Sequence, residues 1–261
     1  MFANERRIKI AEMLERRSSV TVAELTDAFQ VSLETIRRDL EYLERQGALK
    51  RVHGGAITVR KMQSYSSLSA RVTEHREEKR RLALAAIPYI REGDCISLDT
   101  GSTSFELAAL LCEHFHELTV VTNSLQVFQI LSGKEGFQTI LTGGFYMPDE
   151  KTFYGHLTLD MIKQLHVSKY FIAPSAISLD FGISDHIHEL VAVQRALIDI
   201  SDQIIVQADS SKFETCAALK ICDLNPRFLY LTDSGLPDEI LEAYKKAVSY
   251  THLRAHETKA N

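Results

Sequence analysis

The stretch Ser32-Leu-Glu-Thr-Ile-Arg-Arg-Asp-Leu-Glu-Tyr-Leu-Glu-Arg-Gln-Gly47 constrains this chain more than any other. At about 100° per residue, Ile36, Leu40 and Leu43 fall on one stripe, which predicts an amphipathic helix with one buried face. Ser32 stands at the N-cap position, and Gly47 stands where a left-handed residue would end the helix. Opposite the apolar stripe lie Glu34, Arg38, Glu41 and Arg45, flanked by Thr35 and Arg37. A helix that buries one face and projects Arg and Thr near its start suits the major groove of DNA. Arg donates two hydrogen bonds to guanine or one to a phosphate, and Thr serves either surface. An isolated helix of this pattern is more often an ordinary solvated surface helix, so the neighbours decide.

The neighbours favour DNA. A first helix is expected from about Glu5 to Arg16, burying Ile8, Ala11 and Leu14. Thr21-Val-Ala-Glu24 reads as a capping box that opens a second helix with Leu25 and Phe29 one turn apart. Only Gln30-Val31 separates that helix from Ser32, so the second and third helices form a helix-turn-helix. After Gly47, Ala48–Val52 and Ala56–Val59 read as two short strands around His53-Gly54-Gly55, a wing. Residues 3–58 therefore predict a winged helix-turn-helix. Its DNA contacts are expected from Ser32, Thr35, Arg37, Arg38, Tyr42 and Arg45 on the third helix, with Arg51 and His53 on the wing. Charge follows the same division. The chain carries −5 overall, yet residues 1–62 hold 12 Lys and Arg against 9 Asp and Glu, leaving the remainder at −8. A small basic head on an acidic body fits a DNA-binding module joined to something else.

Residues 59–74 lose apolar periodicity and carry several serines, which predicts a linker. A helix follows from Glu77 and stops near Pro88. Beyond it, strands are expected at Cys95–Leu98, Thr119–Val121, Thr139–Leu141, Lys169–Ala173, Gln203–Ala208 and Phe228–Leu231. Helical segments such as Phe105–Leu111, Leu125–Leu131, Leu157–Leu165 and Glu189–Ile200 lie between most of them. Alternation of this kind predicts an α/β domain over 75–248, an open, mostly parallel sheet covered on both faces. Four strands end in polar or glycine-bearing loops: Asp99-Thr-Gly-Ser-Thr-Ser104, Thr122-Asn-Ser124, Thr142-Gly-Gly144 and Asp209-Ser-Ser-Lys212. Ligands in such sheets bind outside the carboxyl ends of the strands, where the loops are expected to converge. The first loop opens a helix, and its N–H groups and hydroxyls make an anion cradle for which Lys212 supplies a countercharge. The expected ligand-binding residues are Asp99, Gly101, Ser102, Thr103, Ser104, Thr122, Asn123, Gly143, Gly144, Asp209 and Lys212. Asp99, an acceptor when ionised, is expected to meet hydroxyls or to orient its loop.

The run Ser32-x-x-Thr35-Ile36-Arg37-Arg38-Asp39-Leu40-x-x-Leu43-x-x-x-Gly47, followed by Arg51-x-His53-Gly54-Gly55-Ala56, resembles the DeoR family of bacterial transcription regulators. The four strand-end loops are similar to that family's effector domain, and the likeness runs from about residue 3 to residue 247. It implies a fold shared with ribose-phosphate isomerases and a sugar phosphate as effector. It also implies a double-stranded operator bound by a homo-oligomer, dimer or tetramer, and repression of a sugar-catabolic operon relieved by the effector. Two positions depart from the family pattern: Pro174 replaces a usual glycine, and Gln194 replaces a usual lysine before Arg195.

Other classes are weaker. Cys95, Cys112, Cys216 and Cys222 include no CxxC pair and read as reduced thiols of a cytoplasmic protein. The histidines lack metal-ligand spacing, and neither metal nor cofactor is expected. No apolar run is long enough for a membrane span, and the first ten residues lack the apolar core of a signal peptide. An enzyme, a sugar-phosphate isomerase or related transferase with a DNA-binding head, is the alternative. Asp99, Glu106 and Lys212 have acid–base chemistry, but no nucleophile motif accompanies them. A protein-interaction role for the winged helix leaves Arg37 and Arg38 unexplained. The segment 249–261 is polar, lacks periodicity and is expected to be an artefactual tail.

Overall fold

The computed structural model describes residues 2–17, 19–52, 54–58 and 61–248, so His53 and the segment 249–261 lie outside the described residues. Of the described residues, those up to Lys61 together with Pro237–Ile240 form one compact unit, and the rest form a second.

The first unit runs α1 (Ala3–Arg17), β1 (Ser19–Thr21), α2 (Val22–Phe29), α3 (Leu33–Arg45), β2 (Leu49–Val52) and β3 (Gly55–Thr58). The capping box is present: Glu24 N–H donates to the Thr21 hydroxyl while the Glu24 carboxylate accepts from Thr21 N–H. Ser32 caps α3 by accepting from Thr35 N–H, and Gly47, at φ +71°, ends it in the left-handed region. Ile36, Leu40 and Leu43 pack with Leu25, Leu49 and Ala56 in one core. The first helix is turned slightly from its expected setting. Ile10 and Leu14 point inward, whereas Ile8 is exposed. The wing is also larger than two strands. The segment before α2 pairs antiparallel with β3, Val20 opposite Ala56, giving a three-stranded sheet in the order β1-β3-β2.

A two-residue strand β4 (Lys61–Met62) precedes α4 (Leu68–Thr73) and α5 (Arg76–Ala86), the latter closed by a 3-10 turn at Ile87–Tyr89. Then come β5 (Cys95–Leu98), α6 (Ser102–His114), β6 (Leu118–Thr122), α7 (Leu125–Leu131) and β7 (Phe137–Leu141). A hairpin of β8 (Phe145–Met147) and β9 (Thr152–Tyr154) leads to α8 (His156–Ile162) and β10 (Val167–Ile172). The rest is β11 (Ala176–Ser178), β12 (Gly182–Asp185), α9 (His188–Asp199), β13 (Ser201–Gln207), β14 (Thr215–Cys216), β15 (Leu219–Cys222), β16 (Leu229–Leu231) and α10 (Asp238–Val248).

All six strands expected from the sequence join one parallel sheet in the order β16-β13-β10-β5-β6-β7. On one face, Ile96, Leu98, Phe171, Ile205 and Leu231 meet α4, α5, α6 and α7 in a single core. Alternate residues Tyr170, Ile204 and Val206 face the other way, where α9 packs. The chain builds outward from β5 to β7, then returns to build from β10 to β16. Chain order therefore reverses between β5 and β10, and a crevice opens at the carboxyl ends of those two strands. A second, antiparallel sheet, β11-β12-β15, was not visible in the hydrophobic pattern.

Part of the expected linker is folded. Leu68 is buried in the sheet's core, and the buried ammonium of Lys79 donates to the carbonyls of Arg71 and Glu74, tying down the end of α4. Burial pushes the Lys79 pKa down, but its carbonyl contacts use the charged form. Apolar periodicity missed α4 because one buried leucine is too little to register as a stripe.

Candidate functional site

On α3 the residues expected to meet DNA divide by role. Arg37, Arg38 and Arg45 are exposed, and the Ser32 hydroxyl lies 2.8 Å from that of Thr35 at the helix start. Arg38 and Arg45 lie four residues after Glu34 and Glu41 and form solvent-facing ion pairs with them. Such pairs contribute little and break at small cost, leaving both guanidiniums available to a polyanion. Arg51, on β2, is exposed and sits 3.9 Å from Glu44. Tyr42 keeps an open edge while the Arg7 guanidinium stacks 3.8 Å from its ring centre.

Asp39 is buried and takes hydrogen bonds from Arg6 and Arg7. This tie fixes α3 to α1, so the acid in the Thr-Ile-Arg-Arg-Asp run is structural, which sequence reading missed. An Arg pair near the chain start was its only trace.

The second unit holds a pocket at the β5–β10 crevice, lined by Thr100, Ala173 and Ser175 from those two strand ends. Lys212 reaches it from the 3-10 turn after β13, a turn that Asp209 caps by accepting from Ser211 N–H. Asp185, His186 and Gln194 form another wall, and Tyr65, Ser66 and Arg71 close it from the stretch before α5. Glu150 anchors that stretch: fully buried, it accepts from the Tyr65 hydroxyl at 2.7 Å and pairs with Arg71. Burial, with Glu150 adding to it, pushes the Tyr65 phenol up to about 12, so it stays a donor. Burial also lowers the His186 pKa, leaving its ring neutral at pH 7. The fixed positive charge at the pocket is therefore carried by Arg71 and Lys212. Among the described residues the Lys212 ammonium has no carboxylate partner.

Behind the pocket lies a buried polar chain. Asp99 accepts from the Tyr170 hydroxyl at 2.8 Å, from Ser104 at 3.2 Å and from the Gln194 amide at 3.3 Å. The same Gln194 Nε2 donates to Asp185 at 3.1 Å, and Asp185 also accepts from Ser175 and His186 N–H. Burial without a cation raises the Asp99 carboxyl to about 6, the three hydrogen bonds only partly offsetting it and Asp185 adding to the rise. Asp99 is 1% exposed, and its hydrogen bonds tie the loop after β5 to Tyr170 and Gln194.

The four strand-end loops do not all converge. Thr100 and Lys212 line the pocket, whereas Ser102, Thr103 and Ser104 are buried in the first turn of α6 and Gly101 precedes them in extended backbone. Thr122 and Asn123 are buried under β9, where the Asn123 carbonyl accepts from Phe153 N–H and the Thr152 hydroxyl. Gly143 accepts from the Thr158 hydroxyl of α8, and a Cβ on Gly144 would lie 2.2 Å from that hydroxyl at φ +137°, so both glycines sit against the start of α8. Strand order explains the difference. β6 and β7 lie one and two places from the reversal. Gln63, Tyr65, Arg71, Glu150, Asp185 and His186 were missed because nothing local marks a residue that reaches the site across the fold.

A helix-turn-helix with a cationic outer face, joined to a doubly wound domain with a charged pocket, defines a DNA-binding regulator with a ligand-sensing domain. Comparison with known proteins agrees. The DeoR-like helix-turn-helix domain matches residues 6–62 and the DeoR C terminal sensor domain matches residues 74–234, so the chain belongs to the DeoR family of transcription regulators. It is 37% identical over 243 residues to the HTH-type transcriptional regulator YulB of Bacillus subtilis (strain 168), covering 93% of each chain. It is 32% identical over 247 residues to the lactose phosphotransferase system repressor of Staphylococcus epidermidis, covering 92% of this chain and 97% of that one. Among solved structures, a D-ribose-5-phosphate isomerase in complex with phospho-erythronic acid aligns over 53% of this chain and 54% of its own, at 17% identity and a TM-score of 0.40. That likeness is too distant to carry an argument. The family matches make the chain a DNA-binding transcription regulator, and the isomerase alternative gives way to it.

Proposed function

We propose that this regulator represses a sugar-catabolic operon in the bacterial cytoplasm and leaves its operator when a phosphorylated sugar fills the pocket between β5 and β10. The observation that carries the reading is Lys212. A lysine without a carboxylate partner, at the mouth of a crevice where sheets of this kind take ligands, suits an anion. Arg71 and the Thr100 hydroxyl stand beside the same space. The Ser102–Ser104 turn adds the positive end of α6 behind it. On the DNA side, Ser32, Thr35, Arg37, Arg38, Tyr42 and Arg45 are assigned to the major groove, with Arg51 and His53 on the wing. Two copies would read a repeated or palindromic operator, as a dimer or within a tetramer.

The route from pocket to DNA runs through residues 63–73. They follow the DNA-binding unit directly in the chain, and Tyr65, Ser66 and Arg71 line the pocket. An effector phosphate competes with Glu150 for Arg71 and so reseats this stretch, favouring one arrangement of the protein over the other.

Calorimetry with a set of sugars and their phosphates tests the reading. Binding is expected to require the phosphate, and Lys212→Ala to lose it at least tenfold while operator binding persists, giving a repressor that cannot be induced. Equal affinity for a sugar and its phosphate would refute the assignment.

A further inference from the structure

The pocket wall contains a polar atom that the protein leaves without a hydrogen bond. Gln194 is 3% exposed, lines the pocket, and its Oε1 is buried with no partner among the described residues. The orientation of the amide is fixed by chemistry. Its Nε2 faces Oδ2 of Asp99 at 3.3 Å and Oδ2 of Asp185 at 3.1 Å. Ionised carboxylates only accept, so the amide nitrogen must face them and the carbonyl must turn away. A buried carbonyl oxygen without a donor costs about 1–3 kcal/mol. Because Gln194 lines the pocket, a donor on a group bound there can satisfy it.

We infer that Gln194 is a specificity-determining residue: its Oε1 accepts a hydrogen bond from a hydroxyl group of the effector, beyond the phosphate. This rests on the reading of the pocket as the effector site. The two carboxylates hold the amide so that it cannot rotate to offer its N–H groups instead. The position thus selects for a ligand donor and against a ligand carbonyl or carboxylate, whose lone pairs would face Oε1. A lysine here would invert that selection, because an ammonium donates and cannot accept. It would still satisfy Asp99 and Asp185, with charge as well as hydrogen bonds.

The experiment measures wild type, Gln194→Lys and Gln194→Met by calorimetry. The probes are inorganic phosphate, ribose 5-phosphate, glucose 6-phosphate and fructose 6-phosphate, with melting curves alongside. Gln194→Lys keeps donors to both carboxylates and is expected to melt no lower than wild type, so it reports on the site even where Gln194→Met folds poorly. Both variants should lose roughly 10- to 100-fold for the sugar phosphate that wild type binds most tightly. Inorganic phosphate should bind Gln194→Met as it binds wild type. Unchanged sugar-phosphate affinity in Gln194→Lys overturns the inference. An equal loss for inorganic phosphate and sugar phosphate in Gln194→Met also overturns it, since Gln194 would then only support the fold of the site. Wild type that binds none of the four probes sinks the reading of the pocket itself, and the inference with it.

Discussion

In the DNA-binding unit the buried carboxylate of Asp39 meets two guanidiniums, whereas in the sensor unit Asp99 and Asp185 share one neutral amide. The first arrangement meets the buried charge inside and leaves the arginines of α3 facing outward, Arg38 and Arg45 paired with glutamates one turn away. The second leaves negative charge uncancelled beside a pocket and raises Asp99 to about 6. The difference separates two kinds of site. A DNA-reading helix needs a rigid base and loosely held surface cations, because phosphates and base edges supply the missing partners. A sensing pocket needs groups that are incompletely satisfied until a small ligand arrives, because only those respond to it.

Removing the tie in the first unit is the harshest way to break this comparison. Asp39→Ala strands Arg6, itself buried, and an unpaired buried charge costs about 3–5 kcal/mol. The first unit should unfold at a markedly lower temperature while the sensor unit's transition stays in place. A melting curve resolved by unit checks this, and a shift of a degree or two would show that Arg6 reaches water unaided.

Arg38→Ala sharpens the contrast from the surface side. With side-chain exposure of 76% and only a helical ion pair to Glu34, Arg38 contributes little to folding. Loss of a contact to a base should weaken operator binding by about 1–3 kcal/mol per half-site with the melting temperature unchanged. A gel shift decides it: full-strength binding would mean that the outer face of α3 does not read DNA.

The smallest expected effect concerns pH. Asp99 is raised from 3.8 to about 6 in the folded protein, so its contribution to stability is complete below about pH 4 and is lost as pH rises through 6. In full this amounts to about 3 kcal/mol, of which roughly half falls between pH 5 and pH 8. Asp99→Asn lacks the ionisation. Denaturant titrations at several pH values should therefore show the variant gaining on wild type as pH rises over that range. Parallel profiles for the two proteins would mean that Asp99 ionises behind the pocket as freely as in water.

Local pattern alone was enough for the winged helix and the six parallel strands. Ile36, Leu40 and Leu43 set the buried face of α3, Ser32 and Gly47 set its ends, and Thr21 with Glu24 set the start of α2. Each depends on residues within one or two turns, so spacing in the chain stands in for distance in space. The family resemblance rested on the same short runs and held. Sequence also marked the polar loops at the strand ends, and of these the structure brings Thr100 and Lys212 to one pocket.

Tertiary structure alone decided which strand ends meet. The order β7-β6-β5-β10-β13-β16 brings Thr100 and Ser175 to one pocket and leaves Thr122 and Asn123 under β9, with Gly143 and Gly144 against the start of α8. It also brought Arg71 to Glu150, 79 residues away, and Gln194 to Asp99, 95 residues away. Hydrophobic periodicity records which face of an element is buried. It carries no information on which element lies next to it, because any apolar face satisfies the same need to leave water. Neighbours in the sheet, and with them the composition of the pocket, are settled by packing and hydrogen bonding between elements distant in sequence.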